Sequence, residues 1–110
     1  MANVFKNSVT GSIGVTTTKV YQAPASTVAT VIGLSVSNVL TQNISVNVTV
    51  TDSSATKTNH LVKNALITEG GSIVVIGGDQ KVVLEANDFI SVVSTLAVSA
   101  DVIVSVLEIS

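Results

Sequence analysis

Residues 43–52, NISVNVTVTD, alternate without a break, with Ile44, Val46, Val48 and Val50 at even positions and Asn43, Ser45, Asn47, Thr49 and Thr51 at odd ones. Successive side chains of an extended strand point to opposite faces, so this period of two predicts a strand with one buried and one wetted face. A helix would need apolar residues every three or four positions, and no stretch of the chain has a convincing pattern of that kind. Residues 28–38, VATVIGLSVSN, repeat the alternation, with Val28, Ile32, Leu34 and Val36 on one face and Ala29, Gly33, Ser35 and Ser37 on the other. The connection between them, residues 39–42, has a length suited to a hairpin.

The other segments keep the same cadence. Residues 13–22 read as a Thr-rich strand stopped by Pro24, which lacks the N–H that a central strand would need. Residues 52–56 are a polar turn, and 58–66 follow as a less regular strand. Gly70 and Gly71 introduce 72–76. Gly77, Gly78 and Asp79 then predict a tight reversal before 81–85, and Asn87 with Asp88 predicts another before 89–95. Residues 101–109 complete the set. About eight short strands spaced by roughly 8–12 residues predict an all-β fold, an antiparallel β-sandwich of jelly-roll or immunoglobulin-like type with no significant helix. The expected organisation is an N-terminal arm, residues 1–12, and a single sandwich domain, residues 13–110.

With 110 residues the chain has room for one domain with a core of its own. It is 46% hydrophobic but only 11% charged, against roughly 25% in an average soluble protein. Ser, Thr, Asn or Gly interrupts every apolar run well short of the ~20 residues of a spanning helix, so no membrane partner is expected. MANVFKNSVTG has no apolar region of a secretory signal, which implies synthesis in the cytoplasm. The sequons at Asn43 and Asn47 then have no glycosylating environment. Without cysteine there are no disulfides, thiolate nucleophiles or zinc-thiolate sites. Net charge is -2, arginine is absent, and Lys6, Lys19, Lys57, Lys63 and Lys81 are scattered, which argues against nucleic acid.

Residues 77–92, GGDQKVVLEANDFISV, bring three carboxylates, Asp79, Glu85 and Asp88, close in sequence. Alternation along KVVLEA puts Glu85 on the face of Lys81, and Asp79 and Asp88 fall at bends, so these acids read as turn and strand-rim residues; a calcium loop would need more oxygen ligands at fixed offsets. His60 is the one histidine and cannot supply a zinc site or, without a nucleophile elbow, a triad. The glycines match neither dinucleotide nor Walker loops. Tyr21, Phe5 and Phe89 are too dispersed for a stacking platform. No catalytic, cofactor-binding or metal-binding residue is therefore expected.

Two features point to contacts between subunits. In DVIVSVLEI, Val102, Val104 and Val106 line one face, while Ile103, Leu107 and Ile109 make the other apolar too, so both faces call for cover. Val4 and Phe5 sit in the otherwise polar first dozen residues, readable as a frayed terminus or as an arm that docks on an adjacent subunit.

The stretches YQAPASTVATVIGLSVSN, VNVTVTD, HLVKNALI, SIVVIGGDQKVVLEANDFISV and ADVIVSVLEIS together resemble small structural proteins of tailed bacteriophages, of marine or cyanophage type. The likeness rests on Y-x-A-P-A at Tyr21–Ala25, the G-G-D-Q-K corner at Gly77–Lys81 and L-E-x-x-D-x-I-x-V at Leu84–Val92, with Asn87 where relatives would carry Gly. It implies a non-enzymatic virion component, a homo-oligomeric β-sandwich whose partners are the major capsid or tail protein. A capsid decoration or cement protein is the first expectation. A tail, collar or fibre component that binds a receptor or glycan is the alternative.

Overall fold

The computed structural model describes residues 3–77 and 81–109. These residues form nine strands: β1 Asn3–Ile13, β2 Thr18–Gln22, β3 Val28–Asn38, β4 Ile44–Asp52, β5 Lys57–Ile67, β6 Ser72–Ile76, β7 Val82–Leu84, β8 Phe89–Ser94 and β9 Ala100–Ile109. The first sheet has the order β1-β9-β3-β6, with β7 also on β3, and the second has the order β2-β8-β4-β5. Every pairing is antiparallel. No helix occurs among the described residues, so none is long and apolar enough to cross a membrane.

β6 lies along Leu34–Ser37 of β3 and β7 along Ala29–Val31, one after the other and in the same direction. They act as one interrupted strand. Counted so, the eight strands run 1-8-3-6 in one sheet and 2-7-4-5 in the other, the double Greek key of a jelly roll.

This topology corrects several local expectations. Residues 39–42 form no hairpin, because β3 and β4 belong to different sheets and the connection crosses the sandwich. A short polar loop serves either purpose, and local sequence does not distinguish them. The reversal expected at Gly77, Gly78 and Asp79 is likewise absent, since β6 and β7 continue in one direction; Gly78 and Asp79 themselves lie outside the described residues. A Cβ at Gly77 would stand 2.8 Å from Val74 Cγ1, so a larger residue there would have to displace that exposed side chain. Residues 13–22 divide, with Ile13 ending β1 and β2 starting at Thr18. The first dozen residues, read as an arm, contain most of β1, which pairs with β9 from Asn3↔Ile109 to Ile13↔Ala100.

The core is built mainly of β-branched residues that alternate along the strands: Leu34 and Val36, Ile44, Val46 and Val48, Ile90 and Val92, Val102, Val104 and Val106 are all buried. One strand changes phase. A bulge between Val31 and Gly33 inserts an extra residue, so Ala29 and Val31 face inward before it and Leu34 and Val36 after it. Val28, expected to share the buried face of Leu34, is exposed for this reason.

Candidate functional site

The outer face of the first sheet is the largest departure from an ordinary water-facing surface. On β1, Phe5, Asn7 and Val9 stand opposite Leu107, Ser105 and Ile103 of β9. On the far side of the sheet, Thr30 pairs with Leu107 and Val83, and Ser35 pairs with Ile103 and Val74. These pairs share one face, which joins Phe5 (74% exposed), Val74 (72%), Val9 (67%), Val83 (61%) and Ile103 (50%). They fall in two rows, Phe5 with Leu107 and Val83 and Val9 with Ile103 and Val74, with Thr30 and Ser35 within the rows and the Asn7–Ser105 pair between them; apolar exposure concentrated on one face is a property of interaction surfaces. A shallow groove of about 300 Å³ interrupts this face, lined by Phe5, Lys6, Asn7, Ile32, Ser105 and Val106.

Of the residues expected at a subunit interface, Phe5, Ile103, Leu107 and Ile109 occupy this face together; Leu107 and Ile109 are half-buried within the chain itself. Val4 does not join them. Paired with Glu108, it lies on the opposite side of β1.

That opposite side carries a polar lock between the sheets. Glu108 continues the inward series of Val102, Val104 and Val106 and is buried. Its carboxylate accepts a 2.5 Å hydrogen bond from the Tyr21 hydroxyl of β2 and pairs with the Lys6 ammonium of β1 at 3.1 Å. The Tyr21 hydrogen bond, with help from Lys6, holds the Glu108 pKa below the usual carboxylate range. Burial, followed by the Glu108 hydrogen bond and charge, pushes the Tyr21 phenol above its ordinary value. Ser8 adds a bond from its hydroxyl to the Val20 carbonyl at 2.8 Å. This lock was not expected from the residues above, although it has a signal in the sequence: an acid in the inward phase of β9 needs partners.

A second polar knot closes the other end. Asn38 is buried, and its Nδ2 donates to the carbonyls of Gln42, Ile67 and Thr68 at 2.7, 3.1 and 3.2 Å. Its Oδ1 accepts from the Leu40 N–H at 2.9 Å. One amide thus secures the β3–β4 crossover to the end of β5.

Of the acids grouped in residues 77–92, Asp79 lies outside the described residues, and Glu85 and Asp88 meet Asp52. Asp52, Glu85 and Asp88 place carboxylate oxygens within 4.8 Å of one another. Asp88, however, is buried and accepts from the N–H groups of Ser53 and Glu85, both at 3.0 Å. Asp52 accepts from the Ser54 hydroxyl and the Ser54 and Ala55 N–H groups, and the Ser54 hydroxyl is the leading cause of its lowered pKa. These carboxylates cap loops. Asn87 has φ of 71°, a left-handed conformation that asparagine tolerates, and its N–H donates to the Ala23 carbonyl at 3.0 Å.

His60 is exposed on β5 opposite Thr49, and among the described residues no hydroxyl is bonded to it. On the polar outer face of the second sheet, Asn47 Oδ1 accepts from the Asn64 N–H at 2.6 Å. Asn43 Oδ1, in the loop before β4, accepts from the Glu69 N–H at 3.2 Å. Both amides therefore brace neighbouring backbone.

No protein-family model matches the chain, and no curated protein matches it at a significant level. Among solved structures, a chain from work on Bacillus endospore appendages, described there as a novel family of disulfide-linked pili, is similar with a TM-score of 0.54. It is 15% identical, and the match covers 98% of this chain and 88% of that one. The likeness is one of fold. Lacking cysteine, this chain cannot join its copies through disulfides.

Proposed function

We propose that this protein is a non-enzymatic structural subunit, present in many copies, that buries the outer face of its first sheet against neighbours in a larger assembly. The observation that carries the reading is that Phe5, Val9, Val74, Val83 and Ile103, all half exposed or more, share that one face. Each such side chain contributes on the order of 1–2 kcal/mol when the rest of its surface leaves water. Obligate interfaces between subunits have this apolar character.

The finer reading is a bacteriophage virion protein, most simply a decoration or cement protein on the major capsid protein, supported by the motifs at Tyr21–Ala25, Gly77–Lys81 and Leu84–Val92. A second reading, a tail, collar or fibre component, draws on the fold likeness to a protein of filamentous appendages. Quantitative mass spectrometry of purified particles tests both. A copy number equal to that of the major capsid protein supports decoration, and a handful of copies supports the tail or fibre. Absence from particles overturns the virion reading.

A further inference from the structure

Sheet edges expose unpaired N–H and C=O groups, and proteins normally blunt them with charge, bulges or brevity. Three edges here are treated in that way. β5 carries Lys57, His60 and Lys63 and has two register shifts against β4. β2 is five residues long, bears Lys19 and has its own shift. The β6–β7 edge is split into segments of five and three residues.

β1 is different. It runs in unbroken register from Asn3 to Thr10, and among the described residues it pairs with β9 alone. The one charge it carries in that span, Lys6, is drawn onto the buried Glu108 at 3.1 Å. Phe5 and Val9 also bring the apolar outer face right up to this edge.

From this we infer that β1 pairs antiparallel with β1 of a second copy across a two-fold axis at Asn7, joining the two first sheets into one continuous sheet. The inference rests on the assembly role proposed above and names one of its contacts. Self-pairing follows from complementarity. Residues directly opposed in an antiparallel pair point to the same face, so outward residues must meet outward ones. An axis at Asn7 sets Phe5 against Val9 of the second copy and extends the apolar face across the junction. It also sets Lys6 against Ser8. An axis at Lys6 would oppose like charges and place Phe5 against Asn7, which breaks the apolar stripe. The same operation on β5 would bring Lys57, His60 and Lys63 of two copies together.

The chain's lack of cysteine makes the test direct. Opposed residues in such a pair are about 4.5–5.5 Å apart between Cα atoms, within the span of a disulfide. Asn7→Cys, Val83→Cys and Thr58→Cys are each oxidised mildly and run without reductant, and circular dichroism verifies the fold. Asn7→Cys is expected to give a covalent dimer, while Val83→Cys at the opposite edge of the same face and Thr58→Cys on β5 remain monomeric. In parallel, sedimentation velocity should show twice the monomer mass for the unmodified chain and the monomer mass for the doubly substituted Phe5→Lys/Val9→Lys chain. If Val83→Cys cross-links as readily as Asn7→Cys, or Asn7→Cys stays monomeric while the unmodified chain associates, the β1 pairing is wrong and the assembly role stands. An unmodified chain that sediments as a monomer at every concentration overturns the β1 pairing; if it is also absent from purified particles, both fall.

Discussion

The outer face of the first sheet presents Phe5, Val9, Val74, Val83 and Ile103, whereas that of the second presents Ser45, Asn47, Thr49 and Thr51 along its central strand β4, with Leu66 the one large apolar side chain on it that is mostly exposed. The second face also manages its aromatic: the Lys19 ammonium lies 4.3 Å from the centre of the Phe89 ring. Both sheets share one core and one strand chemistry, so the contrast does not arise from the needs of folding. Either sheet could have been polar outside. An antiparallel sheet with one face on a core is expected to alternate apolar and polar, as β4 does, and β9 breaks that rule with Ile103 and Leu107. On the assembly role proposed above, the difference reflects the environment each face meets.

The contrast can be broken most severely by charging the apolar side. On the virion reading proposed above, Val74→Lys, Val83→Lys and Ile103→Lys together should leave the fold intact but reduce incorporation into particles by more than about tenfold, measured by copy number, because several kcal/mol of interface burial is lost. Three equivalent changes on the polar side, Ser45→Lys, Thr49→Lys and Thr51→Lys, should leave copy number unchanged.

The link between the sheets is the next target. Tyr21→Phe removes a hydrogen bond to a charged acceptor and should cost about 2 kcal/mol at neutral pH, read by denaturant unfolding. The pH dependence has a definite sign. Glu108 has a lowered pKa when folded, so its contribution is present above the ordinary carboxylate value of about 4.3 and is lost as pH falls through the folded value. Tyr21 has a raised pKa, so its contribution is present below about pH 10 and is lost as pH rises beyond that. The alkaline loss should be absent from Tyr21→Phe.

Smaller effects sharpen the description of the polar side. Asn47→Ala deprives the Asn64 N–H of its acceptor and should cost about 1 kcal/mol without altering assembly. Lys19→Ala uncovers Phe89 and should cost about 0.5 kcal/mol, with a modest rise in hydrophobic-dye binding.

The parts of the fold legible in the sequence were those where burial and alternation coincide. β4 has one inward phase throughout its apolar series, and its pattern could be read directly. In β3 the bulge at Ile32 changes the phase, so a single alternation misassigned Val28. β1 was the hardest to see because it contributes Ile13 alone to the buried core, and backbone pairing leaves no periodic signature in side chains. The positive φ angles at Ser12, Ser26, Thr56, Asn64 and Val98 had no glycine to announce them. Of the candidate site, the two-sided apolarity of β9 was visible in the sequence, but the far half of the face was not. Val74 and Val83 join it only because β6 and β7 lie end to end along β3, which is a property of topology.

β9, the last strand of the sandwich, sits between β1 and β3 rather than at an edge. Emerging after every other strand during synthesis, it must be inserted into a gap for the first sheet to exist. Before then β1 has no neighbour in its sheet, and the outward residues of β3, β6 and β7 have no partner surface to extend. β4 and β5 can pair once Ile67 has emerged, and β6 and β7 can line β3, while the β1 half of the apolar face is joined on only at the final step. The same order makes folding dependent on contacts distant in sequence, which places it in the slower, millisecond-to-second range. The proposed interface is thus complete only once the last strand of the sandwich has docked between β1 and β3.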